Sequence, residues 1–283
     1  MIARIVLILM ILALTGCGSS AGDKDAVVAA FYPLAYAAQM LSPSAKVENL
    51  TPPGAEPHDF ELAPRAVARI ETAAVVVYLS HGFQPAVSDA VKSASGTKVD
   101  ILQGLRLRSA KGQEAGLTAD PHVWLDPVLF QQIVRHIAAA LPRPVHTAQL
   151  TAELRALDRD YRKGLAHCAR NDIVTSHAAF GYLARRYGLH QVAITGLTPE
   201  SEPTPKQLAH VIELVRQTHA TTVFFERLVS PRLAETVARE VGARTAVLDP
   251  IEGLTPSEQH RGKTYLTLMR ENLAALRKAL ACR

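Results

Sequence analysis

Four side chains able to bind a metal ion fall where secondary-structure elements end or begin. His58 lies in the turn-rich run Pro52-Pro-Gly-Ala-Glu-Pro-His-Asp-Phe60, beyond the strand-like Lys46 to Leu50. His122 lies in Asp120-Pro-His-Val-Trp-Leu-Asp-Pro127, just ahead of a helix that Asp126 and Pro127 would open as cap and first residue. His177 directly follows the strand-like Asp172 to Ser176, and Asp249 directly follows Thr245 to Leu248. Three imidazoles and one carboxylate form a donor set suited to tetrahedral Zn²⁺, whereas Mn²⁺ favours more carboxylate oxygens. None of the pairs has finger-like or HExxH spacing. Each residue also has a plainer role open to it: loop hydrogen bonding for His58 and His122, a helix start for His177, a turn before Pro250 for Asp249.

Such a set can act only if the fold converges it. Short β-branched runs alternate with helical patterns along the chain: Val27–Tyr32, Val75–Leu79, Lys98–Leu102, Asp172–Ser176, Gln191–Thr195, Thr222–Phe225 and Thr245–Leu248 read as strands. Helices are expected over Leu34–Leu41, Pro85–Ala94, Pro127–Leu141, Ala178–Tyr187, Pro205–Thr218, Pro231–Val241 and Tyr265–Ala281. This rhythm predicts an α/β fold of mainly parallel sheets flanked by helices, in two lobes. Leu150, Leu154, Leu157, Tyr161 and Leu165 stand at helical spacing between the halves. The expected division is an N-terminal lobe over 26–142, a long linker helix over 143–168 and a C-terminal lobe over 169–283, with a core in each half. In open α/β sheets ligands bind beyond the carboxyl ends of the strands, so two facing sheets would bring the four residues into one cleft.

The N-terminus speaks about location. Arg4 precedes the apolar stretch Ile5 to Leu14, about half the ~20 residues that would span a bilayer, which reads as a secretory signal peptide over 1–16. Leu14-Thr-Gly-Cys17 resembles the bacterial lipobox, which implies cleavage ahead of Cys17, a lipid on its sulfur and a polar tether over 17–25. Of the 3 cysteines, Cys168 and Cys282 then remain. In an oxidising compartment they could form a bridge or stay as two buried thiols. The net charge of +5 comes from scattered basic residues, which argues against a phosphate-tracking nucleic-acid surface. Gly262-Lys-Thr264 is no P-loop, because Ser257 stands where the first Gly belongs.

Several segments together resemble the periplasmic zinc-binding receptors (solute-binding lipoproteins) of zinc and manganese ABC importers. They are Phe31-Tyr-Pro-Leu34, Pro53 to Glu61, Asp120 to Pro127, Thr175 to Tyr182, Pro199 to Pro205, Val223-Phe-Phe-Glu226 and Leu248-Asp-Pro250. The likeness covers nearly the whole mature chain. It implies two α/β lobes joined by one rigid helix, with the metal held between them by His58, His122, His177 and Asp249. It also implies that His177 selects zinc, because manganese members commonly carry Glu there, and that Cys168 and Cys282 match a disulfide of some zinc members. Many zinc members carry a His-rich loop ahead of the second ligand, but Arg106 to Asp120 contains no His.

The expected function is therefore high-affinity Zn²⁺ capture outside the cytoplasm by a lipid-anchored monomer that is not an enzyme, and delivery to an ABC permease driven by a partner ATPase. Alternatives are a manganese receptor or adhesin-like lipoprotein of the same fold, or a zinc hydrolase with Glu226 as its only nameable base. Glu226, Glu56 or Glu61 could instead orient a ligating imidazole, with ordinary surface or capping roles equally open to Glu56 and Glu61; His81, just past a strand end, could stand behind the ligands or at the cleft rim, or be a solvated loop residue.

Overall fold

The computed structural model describes residues 26–110, 116–201 and 203–283. The signal sequence, Cys17 and the tether lie outside the described residues.

The first half contains β1 (Ala26–Ala29), α1 (Tyr32–Leu41), β2 (Lys46–Asn49), α2 (Pro64–Thr72), β3 (Val75–Tyr78), α3 (Pro85–Lys92), β4 (Thr97–Asp100) and α4 (Pro127–Ala140). The second contains β5 (Asp172–Thr175), α6 (Gly181–Tyr187), β6 (His190–Ala193), α7 (Pro205–Thr218), β7 (Thr222–Phe225), α8 (Arg232–Val241), β8 (Arg244–Val247), α9 (Pro256–His260) and α10 (Tyr265–Leu280), with α5 (Thr147–Gly164) between the halves. Both sheets are parallel and share one topology, β2-β1-β3-β4 and β6-β5-β7-β8. Each is a four-stranded sheet flanked by helices. In each, the chain reverses direction of travel across the sheet between its first and third strands, which opens a crevice beyond the carboxyl ends.

Local chemistry explains the boundaries. Asp126 caps α4 by accepting hydrogen bonds from the Val128 and Leu129 amides at 2.9 and 3.4 Å, with Pro127 at the first helical position. Thr204 and Gln207 form a capping box for α7, Thr255 and Glu258 one for α9. The linker helix is shorter than the expected 143–168: Pro144 disfavours a helical Arg143, the Val145 amide donates outward to the Leu41 carbonyl at 2.9 Å, and α5 runs for 18 residues, about 27 Å. It buries Leu150, Leu154, Leu157 and Tyr161, and its tyrosine O–H donates to the Met269 carbonyl on α10 at 2.7 Å.

The expectation of one core per half fails in an instructive way. The largest apolar cluster runs from the first sheet through Trp124, α4 and α5 to Phe180, Leu183, Phe224 and Tyr265 of the second half. A smaller one, including Val174, Val223, Val215 and Val237, fills the outer side of the second sheet. The halves share a core because α10 returns to pack on α5, and Tyr265 sets its ring against Phe130 and Tyr36, with centroids 4.4 and 5.7 Å away. Cys168 and Cys282 are joined in a disulfide spanning 114 positions, which ties the end of α10 to the entrance of β5.

Candidate metal centre

Among the described residues, one group of His and acidic side chains is arranged to hold a metal: His58, His122, His177 and Glu252, with donor atoms all within 4.8 Å of one another. Glu252 Oε1 lies 3.1 Å from His122 Nε2, 3.4 Å from His58 Nε2 and 3.6 Å from His177 Nε2, and the Nε2 atoms of His122 and His177 approach at 3.4 Å. A tetrahedron with metal–ligand bonds of about 2.0–2.1 Å has edges 1.63 times as long, about 3.3–3.4 Å. Four of the six edges therefore match a zinc-sized tetrahedron within a few tenths of an ångström.

Each donor comes from a loop at a strand's carboxyl end or a helix entrance. His58 follows β2 in a turn built by Glu56, whose Oε2 accepts the His58 and Asp59 amides at 2.7 and 3.2 Å. Burial, reinforced by the nearby Glu252, pushes the Glu56 carboxyl up to about 10. At Gly54 the backbone takes φ +86°, and its N–H donates to the Leu254 carbonyl at 2.8 Å, so the His58 loop rests on the loop carrying Glu252. His177 sits two residues past β5, and its carbonyl accepts from Thr175 Oγ1 and Gln191 Nε2 at 2.7 and 3.0 Å.

The rings are aimed from behind. His122 Nδ1 bonds Asp120 Oδ1 at 2.9 Å, and His177 Nδ1 bonds Glu226 Oε1 at 2.8 Å. A carboxylate on Nδ1 fixes the proton there and leaves the Nε2 lone pair facing the centre. Glu226 is in turn held by Ser176 Oγ at 2.7 Å. His58 has its ring edge-on to Phe83 instead, with centroids 4.6 Å apart.

The site's electrostatics follow from burial against charge. His122, His177 and Glu252 are at most 1% exposed. Burial opposes a charged His177, but Glu226 and Glu252 outweigh it and hold its pKa well above the ordinary value. The same contest at His122, won by Asp120 and Glu252, raises its pKa. At His58 burial prevails and the pKa falls. Burial would raise Glu252, yet the three imidazoles keep it well below the ordinary carboxylate range. The cluster is thus a buried anion ringed by proton-binding nitrogens, and a cation competes with protons for the same lone pairs.

The structure brings together three of the four sequence-predicted donors. Asp249 is corrected: its carboxylate pairs with the Arg227 guanidinium, outside the cluster, and its Oδ1 accepts the Ile251 amide at 2.7 Å. Burial, countered by that amide and Arg227, puts its pKa at about 6. Ile251 adopts φ +58°, a conformation β-branched residues rarely take, and this reversal carries Glu252 into the centre. Asn272 brackets Asp249 through its backbone N–H and C=O at 2.8 and 2.6 Å, and Trp124 Nε1 donates to the Pro250 carbonyl at 2.7 Å. The run Asp249-Pro-Ile-Glu-Gly253 places a longer carboxylate three residues past the expected one, and that was the available signal. His81 is exposed at φ +64°, bonds Thr118 Oγ1 at 2.6 Å and is not a member of the cluster. Asp120, beside the predicted His122, went unassigned although it lay in the same motif.

Comparison with known proteins places the chain. The family described as zinc-uptake complex component A, periplasmic, matches residues 27–279. The high-affinity zinc uptake system protein ZnuA of Bacillus subtilis (strain 168) is 34% identical over 288 residues, covering 94% of this chain and 90% of that protein. The zinc-binding lipoprotein AdcA of Streptococcus pneumoniae serotype 4 is 35% identical over 281 residues, covering 91% of this chain and 56% of AdcA, so the chain spans little over half of that relative. The Zn(II)-bound ZnuA-like domain of Streptococcus pneumoniae AdcA superposes with a TM-score of 0.74 at 34% identity, over 90% of this chain and 98% of that domain. The laminin-binding protein Lmb of Streptococcus agalactiae, described as a bifunctional protein with adhesin and metal-transporting activity, gives 0.78 at 29% identity, over 90% and 99%. With its two parallel sheets and a donor cluster between them, the chain belongs to the periplasmic zinc-uptake complex component A family.

Proposed function

We propose that this chain is a receptor outside the cytoplasm that captures Zn²⁺ as cargo through His58, His122, His177 and Glu252 and passes it to an ABC permease with its own ATPase. A lipid on Cys17 tethers it, and it acts as a monomer. The observation that carries the reading is the near-tetrahedral spacing of three Nε2 atoms and one carboxylate oxygen, drawn from loops of both lobes. Three neutral imidazoles suit Zn²⁺ over the harder Mn²⁺, which supports zinc over the manganese alternative. Four protein donors leave no position for an activated water, and Glu226 is engaged by His177 and Ser176, which argues against a hydrolase.

The ion binds by displacing protons from the ring nitrogens. Asp120 and Glu226 accept the Nδ1–H bonds that strengthen as the rings donate to the cation. Competition with a chelating dye should find one tight zinc site per chain, and His177→Ala should weaken it by at least ~100-fold, the upper range for loss of a group supporting a site. Unchanged affinity in that variant would remove the reading.

A further inference from the structure

The hydroxyl of Tyr182 joins the two lobes behind the metal centre. It accepts the Arg108 amide at 2.8 Å and donates to the Asp120 carbonyl at 2.9 Å. Those two residues face each other in the first half, where the Asp120 amide donates to the Arg108 carbonyl at 3.0 Å and Ser109 bridges Ala119 beside them. The Arg108 guanidinium then turns back, its Nε donating to Asp120 Oδ2 at 3.3 Å, and packs over the Tyr182 ring. It lies flat on Gly181, where an added Cβ would meet Nε at 2.7 Å. Asp120 spends its other oxygen on His122, accepting both the ring Nδ1–H and the amide. Tyr182 stands on α6, five residues beyond His177. One side of this contact therefore carries a ligand of the second lobe, and the other fixes the ring of a ligand of the first.

We propose that Tyr182 and Arg108 are positioning residues for zinc capture: an inter-lobe clasp that fixes Asp120, and through it the His122 Nε2 lone pair, relative to His177 before the ion arrives. This rests on the zinc-receptor reading and adds to it the device that pre-sets the spacing of two ligands from different lobes. Pre-set spacing matters because donors held at the bound distances need no rearrangement when the ion enters. Gly181 belongs to the device, since a Cβ there would push the guanidinium from its place on α6.

The test compares full mature protein with Tyr182→Phe, which keeps the ring under Arg108 and removes both hydroxyl bonds. Zinc release into excess chelator, followed with a coloured dye, should speed up by about tenfold, the lower end for groups that orient ligands. The visible absorption of the Co²⁺-loaded protein should shift as the His122 ring loses its setting. Tyr161→Phe, which deletes a buried hydrogen bond to Met269 far from the cluster, serves as a control for general loosening and should leave both readouts unchanged. Arg108→Gln, on a side chain 36% exposed, decides the matter should Tyr182→Phe fail to fold. If wild-type protein binds zinc and the folded variants match it in release rate and Co²⁺ spectrum, the clasp is refuted while the receptor reading stands. If wild-type protein binds no zinc, the receptor reading itself falls.

Discussion

Glu252→Gln and Asp249→Asn form a paired experiment that tests the geometry of the centre directly. Structural zinc sites in small peptides bind with apparent free energies of roughly 10–16 kcal/mol near neutral pH. Shared over the four donors seen here, that is about 2.5–4 kcal/mol per donor, or ~100- to 1,000-fold in affinity. Glu252 supplies the only anionic donor, so its loss should fall at the upper end. There is a compensation: Glu252 also favours proton binding at His122 and His177, so removing it weakens proton competition. The full loss should therefore appear at pH 8, where protons compete least, and a smaller one at pH 6. Asp249→Asn keeps an oxygen able to accept the Ile251 amide, and should cost less than about tenfold. The assay is dye competition at both pH values, with melting curves to confirm folding. Equal losses in the two variants, or a larger loss for Asp249→Asn, would refute the assignment of Glu252 as ligand and of Asp249 as the residue that shapes its turn.

Two further outcomes are expected. Because the folded-state pKa of His177 lies well above its ordinary value and that of His122 is raised, their contribution to stability without metal is complete below ~6.5 and fades as pH rises through the raised values. Zinc affinity should climb over that same window, above 6.5, with protons released on binding; calorimetry in buffers of different ionisation enthalpy measures them, and pH-independent affinity from 6 to 8.5 would contradict the shifts. Reducing the Cys168–Cys282 bridge should lower unfolding free energy by up to ~5 kcal/mol, given a loop of 114 positions, while leaving zinc affinity intact, which denaturant titration and dye competition would report.

Much of the architecture could be read from residue patterns because buried parallel strands require continuous β-branched runs, and Val75-Val-Val-Tyr78 or Thr222-Val-Phe-Phe225 could hardly be anything else. Helix α2 escaped notice because only Ala66 and Ile70 are buried, leaving no apolar stripe, and α9 is a turn and a half held by its capping box. The three histidines were legible because each sits in a segment rich in turn or capping residues. Glu252 was not, since the rule that ligands follow strands directly points to Asp249. Only the left-handed backbone at Ile251, imposed by the Asp249 side chain and by Trp124 gripping Pro250, carries the donor three residues further on. A side chain's role in shaping a neighbour's path leaves no periodic trace. The same holds for Tyr182, whose hydroxyl reaches partners 62 and 74 positions away.

The ring of Tyr265 bears on how cargo can leave. It comes from the second half, yet it is fully buried among Tyr36, Phe130 and Trp124 of the first, and its O–H donates to the Trp124 carbonyl. Swinging the halves apart like a book would wet this aromatic seam, at about 1.5–3 kcal/mol for each large side chain exposed, and would strand the hydroxyl and the indole N–H without partners. The three fully buried rings alone, Tyr265, Phe130 and Trp124, reach the lower part of the stability range of an ordinary domain, about 5–15 kcal/mol. A molecule built this way behaves as one block with movable lips, so the force that frees its ion has to act on the loops at the rim rather than on a hinge.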